Sequence, residues 1–140
     1  MKIYLDFDGT VVEHQYPNIG RCNFGCIEII KKLQDAGHEI ILNSYRADCN
    51  NGTLEKALKY LNEDYWMFSK DKDIKLLPIT EYTENKIHPH PLNWNDVKQN
   101  NILFIDDQAT NFPLKKSIMI NAMMVDWDEL DKQLIENDIY

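Results

Sequence analysis

No apolar run in this 140-residue chain reaches the roughly 20 residues that a membrane-spanning helix needs. Cysteine is scarce: Cys22, Cys26 and Cys49 are an odd number, which argues against a full disulfide framework and for free thiols in a cytoplasmic setting. Positive charge is in deficit, with 15 Lys and Arg against 23 Asp and Glu and a net charge of -8. That balance argues against loose electrostatic binding to nucleic acid or to an anionic membrane surface. The N-terminus lacks a signal-peptide pattern, since a strand opens at once and acids follow. Repeats, low-complexity tracts and linkers are also missing, so a single domain over residues 1–140 is expected. What is present, 44% hydrophobic and 27% charged residues, is the composition of a globular domain with a sizeable core.

The most informative stretch is Leu5-Asp6-Phe7-Asp8-Gly9-Thr10. The apolar, β-favouring residues before it predict a buried strand. Strand side chains alternate faces, so Asp6 and Asp8 would share a side if the strand continued. Gly9 predicts a turn, and strand C-terminal ends are where open α/β sheets bind ligands. Two such carboxylates repel unless a cation or a shared proton lies between them. Read alone, Asp-Gly is also ordinary turn chemistry.

Residues 11–23 read as a loop or short hairpin over this site. Residues 24–36 carry Ile27, Ile30 and Leu33 at helical spacing, with Asn23 as candidate N-cap and Gly37 as stop. Residues 38–42 are a second buried strand, which makes a right-handed βαβ unit with parallel strands. A helix over residues 54–62 with Thr53 as N-cap follows, then a short apolar run, residues 65–68, that could be a third strand. Residues 69–85 read as irregular, with 79–82 extended. Residues 92–99 predict a short helix capped by Asn93 or Asn95, and 101–105 a strand. A further strand lies within 117–125, and Asp126 or Asp128 begins a last helix. Alternating strands and helices imply a three-layer α/β domain with a mainly parallel sheet.

Asp6-Phe7-Asp8-Gly9-Thr10 after an apolar strand resembles the first motif of the haloacid-dehalogenase-like (HAD) hydrolase superfamily. Glu39-Ile40-Ile41-Leu42-Asn43-Ser44 is similar to its second motif, and Ile102-Leu103-Phe104-Ile105-Asp106-Asp107 to its fourth. The resemblance implies a Rossmann-like core. Neither gap between motifs leaves room for a large cap domain, so the chain looks like a capless member. It implies an Mg²⁺-dependent phosphatase in which Asp6 forms an aspartyl-phosphate and Asp8 serves as acid and then base. Dehalogenase members lack the second Asp. Mg²⁺ would be held by Asp6, the Asp8 carbonyl and Asp106, with Asp107 in support, and Ser44 would hydrogen-bond the phosphoryl group. The cation of the third motif is Lys86 or Lys98. Lys86 is preferred, because neighbouring prolines fix an extended chain while Lys98 falls in a helix. Gly9, Thr10, Asn43 and Arg46 are the candidate substrate-binding residues, Arg46 through a fork onto phosphate.

Glu13 and His14 read equally as substrate contacts or as an exposed hairpin end. His88 and His90 match no common zinc spacing. The expected partner is a small phosphorylated substrate. Charge argues against nucleic acid, while a phosphate-ended nucleotide or oligonucleotide stays open. An uncapped site predicts weak, broad activity in a monomer, sharpened by a homo-oligomer that roofs the pocket. The alternatives are a phosphotransferase of the same family, or a catalytically silent metal- or phosphate-binding regulatory module.

Overall fold

The computed structural model describes residues 1–140. Strand β1 (Lys2–Leu5) is central in a three-stranded parallel sheet. It is followed by helix α1 (Cys26–Asp35), strand β2 (Glu39–Leu42), a short helix α2 (Arg46–Cys49) and helix α3 (Thr53–Lys59). Helix α4 (Trp94–Asn100) leads to strand β3 (Ile102–Ile105), and the strand order is β2-β1-β3. Strands β4 (Leu114–Lys116) and β5 (Met123–Val125) form a separate antiparallel pair, and helix α5 (Trp127–Glu136) closes the chain. The protein is thus a small α/β domain with a mostly parallel sheet. No helix is long and apolar enough to cross a membrane.

Register explains which side chains meet. Ile3, Ile40 and Leu103 are neighbours across the sheet, as are Leu5, Leu42 and Ile105. All six join Ile27, Ile30 and Leu33 of α1 and Leu130 and Leu134 of α5 in one core. Burying each such side chain fully stabilises the fold by roughly 1.5–3 kcal/mol. The other side of the sheet carries Tyr4, Ile41 and Phe104 in register. There Tyr4 stacks on Phe104 at 5.0 Å, and the His90 ring lies 4.5 Å from Phe104. The extended segment near Tyr82 adds a parallel bridge to Leu42, at the outer edge of β2.

Several helix ends agree with the sequence. The Asn93 side chain accepts from the Asp96 N–H, the Asp126 side chain accepts from the Glu129 N–H, and Gly37 follows α1 with a φ of 87°. Two other caps differ. Gly25 and Gly52, at φ 93° and 84°, occupy the N-cap positions expected for Asn23 and Thr53. Asn23 is instead a buried strut, its Nδ2 donating to the Thr10 and Val125 carbonyls at 2.9 and 2.7 Å. Residues 65–68 are not a strand. After α3 the chain passes through a π-helical turn, Tyr60–Asp64, into a 3₁₀ turn, Tyr65–Phe68. The Phe68 ring stacks on Tyr60 at 5.4 Å, and Tyr60 meets Phe7 edge-on at 5.7 Å. Aromatic packing of this kind outweighs local β-propensity.

Candidate functional site

Beyond the last paired residues of β1, β2 and β3, the same register aligns Asp6, Asn43 and Asp106. The Asp6 N–H donates to the Ile105 carbonyl at 2.9 Å and the Asn43 N–H to the Leu5 carbonyl at 2.7 Å, which extends the ladder by one step. Neighbouring parallel strands lie about 4.8 Å apart. Two acids at matched positions on adjacent strands therefore meet. Asp107 completes the group: the carboxylates of Asp6, Asp106 and Asp107 lie within 4.8 Å of one another, all buried.

Lys86 is the cation set among them. Its Nζ lies 3.1 Å from Asp6 Oδ1 and 3.0 Å from Asp106 Oδ2, and its side chain is 3% exposed. Lys98, by contrast, is exposed on α4. The device that aims Lys86 inward is Asn43. Asn43 Nδ2 donates to the Ile87 carbonyl at 2.9 Å, while its Oδ1 accepts from the Ile87 N–H at 2.8 Å and from the Thr83 hydroxyl at 2.8 Å. Asp48 of α2 accepts the Lys86 N–H at 3.0 Å. Side-chain bonds of this kind, rather than proline stiffness alone, hold the extended segment.

The loop after β1 is equally occupied. Thr10 is fully buried; its hydroxyl donates to Asp6 Oδ2 at 2.9 Å and accepts the Asp107 N–H at 3.3 Å. Gly9 has a φ of 79°, and a Cβ there would lie 2.1 Å from His14 Nε2 and 2.5 Å from Asp107 Oδ2. Only glycine permits this turn beneath the His14–Asp107 contact, which measures 2.8 Å. Arg46 is 1% exposed. Its Nε and Nη2 donate to the two Asp8 carboxylate oxygens, each at 2.8 Å, and Nη1 and Nη2 reach the Pro17, Thr53 and Asn18 carbonyls.

These bonds show what each expected substrate-binding residue holds within the protein. The Gly9 N–H donates to the Val12 carbonyl at 2.7 Å, Thr10 orients Asp6, Asn43 clamps the Lys86 segment and Arg46 forks onto Asp8. Gly9, Thr10 and Asn43 build the site from behind, while Arg46 forks onto Asp8 and also lines the cavity. The Asp8 carboxylate thus has a guanidinium as its charged partner. Asp6, Asp8, Ser44, Lys86 and Asp107 line a common cavity of ≈ 290 Å³. Ser44 Oγ accepts the Arg46 N–H at 3.1 Å, which leaves its hydroxyl proton free to be donated. His14, Tyr16, Tyr45, Arg46, Cys49 and Gln108 complete the walls. Of these, the sequence had marked His14, by its closeness to the first motif, and Arg46; long-range folding brings the others. Glu13 faces away, bonded to the Ser117 hydroxyl. A second cavity of ≈ 240 Å³ near Phe104 has only His90 and Asp96 as ionisable walls.

The electrostatics are those of a site short of positive charge. Burial, and next the charge of Asp106, push the Asp6 carboxyl well above its ordinary range, against the opposing pull of Lys86. Burial also raises Asp106, with Lys86 again opposing. At Asp107 burial is outweighed by hydrogen bonds from His14, Asp6 and Gln108, and the carboxyl sits below its ordinary value. The Asp107 hydrogen bond raises His14. For Lys86, burial is overcome by the charges of Asp6 and Asp106, so the ammonium is held more firmly than usual.

Buried Asp106 Oδ2 has the ion contact with Lys86 but no hydrogen bond of good angle. Three buried carboxylates with an unfilled acceptor form a hard-oxygen set, of the kind that holds Mg²⁺, Ca²⁺ or Mn²⁺. The triple-Asp cluster can therefore hold a metal ion.

A pH dependence follows. Asp6 and Asp106 have folded-state pKa values above 3.8, and His14 above 6.5. Each group keeps a proton in the folded state at pH values where the unfolded chain has lost it. Stability therefore falls as pH rises through those windows. Asp107, shifted the other way, has its contribution complete above about pH 5. The chelated protein is expected to lose Tm as pH rises above the ordinary carboxylate range and again above 6.5, and a divalent cation to flatten that fall. Scanning calorimetry with and without Mg²⁺ measures it; a Tm that climbs with pH in the chelated protein would contradict the charge balance described.

No family model and no curated protein matches the chain. Among solved structures, it is similar to a conserved protein from Bacteroides thetaiotaomicron, with a TM-score of 0.57 at 23% identity. The match covers 99% of this chain and 91% of that one, and at this identity it is a likeness of fold.

Proposed function

We propose that the chain is a capless, Mg²⁺-dependent phosphomonoesterase of the HAD-like type that works through an aspartyl-phosphate on Asp6. The observation that carries this reading is the setting of Asp6. Its carboxylate stands at the end of the central strand between the Lys86 ammonium and the Thr10 hydroxyl, beside Asp106 and Asp107, and lines a cavity shared with Ser44. On this reading the sheet and its helices are the core of a three-layer Rossmann-like fold, and the loop of residues 11–23 stands where larger relatives carry a cap. The free thiols fit a cytoplasmic enzyme.

The residues divide the work as follows. Lys86 favours the ionised form of Asp6 against burial and the charge of Asp106, and Thr10 orients it. One Asp6 oxygen attacks phosphorus as the bond to the ester oxygen breaks, and Asp8 gives that oxygen its proton. Asp8, now a carboxylate, takes a proton from water; the water oxygen attacks phosphorus, inorganic phosphate leaves and Asp6 is restored. Ser44 donates its hydroxyl to a phosphoryl oxygen throughout. Mg²⁺ held by Asp6, Asp106 and the Asp8 carbonyl, with Asp107 in support, would neutralise the phosphoryl oxygens. The Arg46 fork offers Asp8 two donors and no acceptor, so Asp8 must leave the fork to deliver a proton.

That fork also favours a second reading. An acid/base held by Arg46 activates water poorly, which lengthens the life of the aspartyl-phosphate and suits a phosphotransferase. Product analysis with an added alcohol acceptor separates the two.

The direct test is release of inorganic phosphate from a generic aryl phosphate. Chelation is expected to stop it and Mg²⁺ to restore it. Asp106→Ala, which removes a hard-oxygen ligand, is expected to need at least about tenfold more Mg²⁺. A folded wild-type protein that releases no phosphate at any Mg²⁺ concentration would overturn the phosphomonoesterase reading. Equal Mg²⁺ affinity in wild type and Asp106→Ala, measured by calorimetry, would remove Asp106 from the ligand set.

A further inference from the structure

The cavity over Asp6 has an ionic floor and an aromatic mouth. Tyr16, from the loop after β1, and Tyr45, from the turn before α2, both line it. They are not core residues: Tyr16 is 46% and Tyr45 61% exposed. Each ring is nevertheless held from within. Lys86 Nζ lies 4.6 Å from the Tyr45 ring centroid, and the Arg46 guanidinium carbon lies 5.3 Å from that of Tyr16, both within cation–π range. The Tyr16 hydroxyl also accepts from Asn51 Nδ2 at 2.8 Å. The same two cations hold the two reacting carboxylates, Lys86 at Asp6 and Arg46 at Asp8. The rings are thus set in register with the floor. Aromatic rings fixed in advance lose little conformational entropy when a flat ligand stacks on them.

We infer that the site takes small phosphomonoesters whose alcohol carries a planar aromatic ring, with the phosphoryl group on the Asp6–Lys86 floor and the ring against Tyr16 and Tyr45. This rests on the phosphomonoesterase reading. The cavity of ≈ 290 Å³ stands at the lower end of small-molecule pockets, roughly 300–1,000 Å³. That size suits one ring and a phosphoryl group, not the body of a macromolecule. The net charge of -8 also disfavours a polyanion.

Benzyl phosphate and cyclohexylmethyl phosphate form the decisive pair. They have the same linkage and alcohols of similar acidity, and differ in whether the ring is flat and π-bearing. Wild type is expected to favour the benzyl ester by about tenfold in kcat/KM, the scale of two aromatic contacts. The Tyr16→Ala/Tyr45→Ala double variant is expected to bring the ratio within about twofold, and the Tyr16→Phe/Tyr45→Phe variant to keep it. Loosening Lys86 by loss of Tyr45 slows both esters together, so the ratio isolates stacking. Calorimetry with benzylphosphonate and cyclohexylmethylphosphonate, which are not turned over, gives the same comparison without catalysis. A ratio near one in wild type, or one that survives in the folded double alanine variant, would overturn the inference. Hydrolysis of both esters at equal kcat/KM would sink the ring subsite and leave the phosphomonoesterase standing. A phosphonate preference in a protein that hydrolyses neither ester would uphold the ring subsite and sink the enzyme reading.

Discussion

Asp6→Asn is expected to lower phosphate release by roughly four orders of magnitude or more while the protein stays folded, since it removes the proposed covalent nucleophile and keeps its shape. The stability readout runs the other way. Asp6 is buried beside two further acids with one ammonium between them, and its ionised form is penalised by burial and by Asp106. Asparagine lifts that penalty. Its amide oxygen can face Lys86 while its NH₂ donates to Thr10 Oγ1; the Thr10 hydroxyl proton loses its acceptor, a cost of about 1 kcal/mol that is smaller than the penalty on the buried charge. In the chelated protein the Tm of Asp6→Asn is therefore expected to match or exceed wild type at pH 8. The difference should shrink as pH is lowered and wild-type Asp6 takes up its proton. Phosphate release and scanning calorimetry on one preparation measure both effects. Wild-type-like turnover in the folded variant would end the aspartyl-phosphate mechanism.

Lys86→Ala is expected to cost about 10²–10³ in the rate of phosphoryl transfer, the usual scale for removing a pre-set electrostatic donor from a dry site. It should also destabilise the chelated protein by about 3–5 kcal/mol at pH 8, because breaking a buried ion pair leaves charge uncompensated. Bound Mg²⁺ should recover part of that loss, and so should low pH, as Asp6 and Asp106 protonate. Lys98→Ala serves as the comparison. On the exposed face of α4 it is expected to change stability by no more than about 0.5 kcal/mol and to leave turnover unaltered. Single-turnover kinetics on the two variants ranks them. If Lys98→Ala proved the slower, the third-motif role would pass to Lys98.

The sequence alone determined the parts of this protein that short-range rules control. Apolar runs ending in acids marked β1 and β3, their period and length marked β2 and α1, and the pairs Asn93 or Asn95 and Asp126 or Asp128 bracketed the starts of α4 and α5, where the structure uses Asn93 and Asp126. The grouping of Asp6, Asp106 and Asp107 was an expectation from the family resemblance, and the β1–β3 register is what brings them together. What only the tertiary structure decided was the use of each polar side chain. Nothing local distinguishes an Asn43 that touches substrate from one that clamps Ile87, or an Arg46 that binds phosphate from one that forks onto Asp8. Those outcomes depend on which donors and acceptors lie within about 3 Å after folding, 38 residues apart for Arg46 and Asp8 and 44 for Asn43 and Ile87. The turn at residues 65–68 went against its own β-propensity for the same reason: the Tyr60–Phe68 stack, a tertiary contact, set its conformation. The aromatic mouth was hidden in the same way, since Tyr16 and Tyr45 are 29 positions apart in sequence and come to one cavity only when the loop after β1 packs against α2.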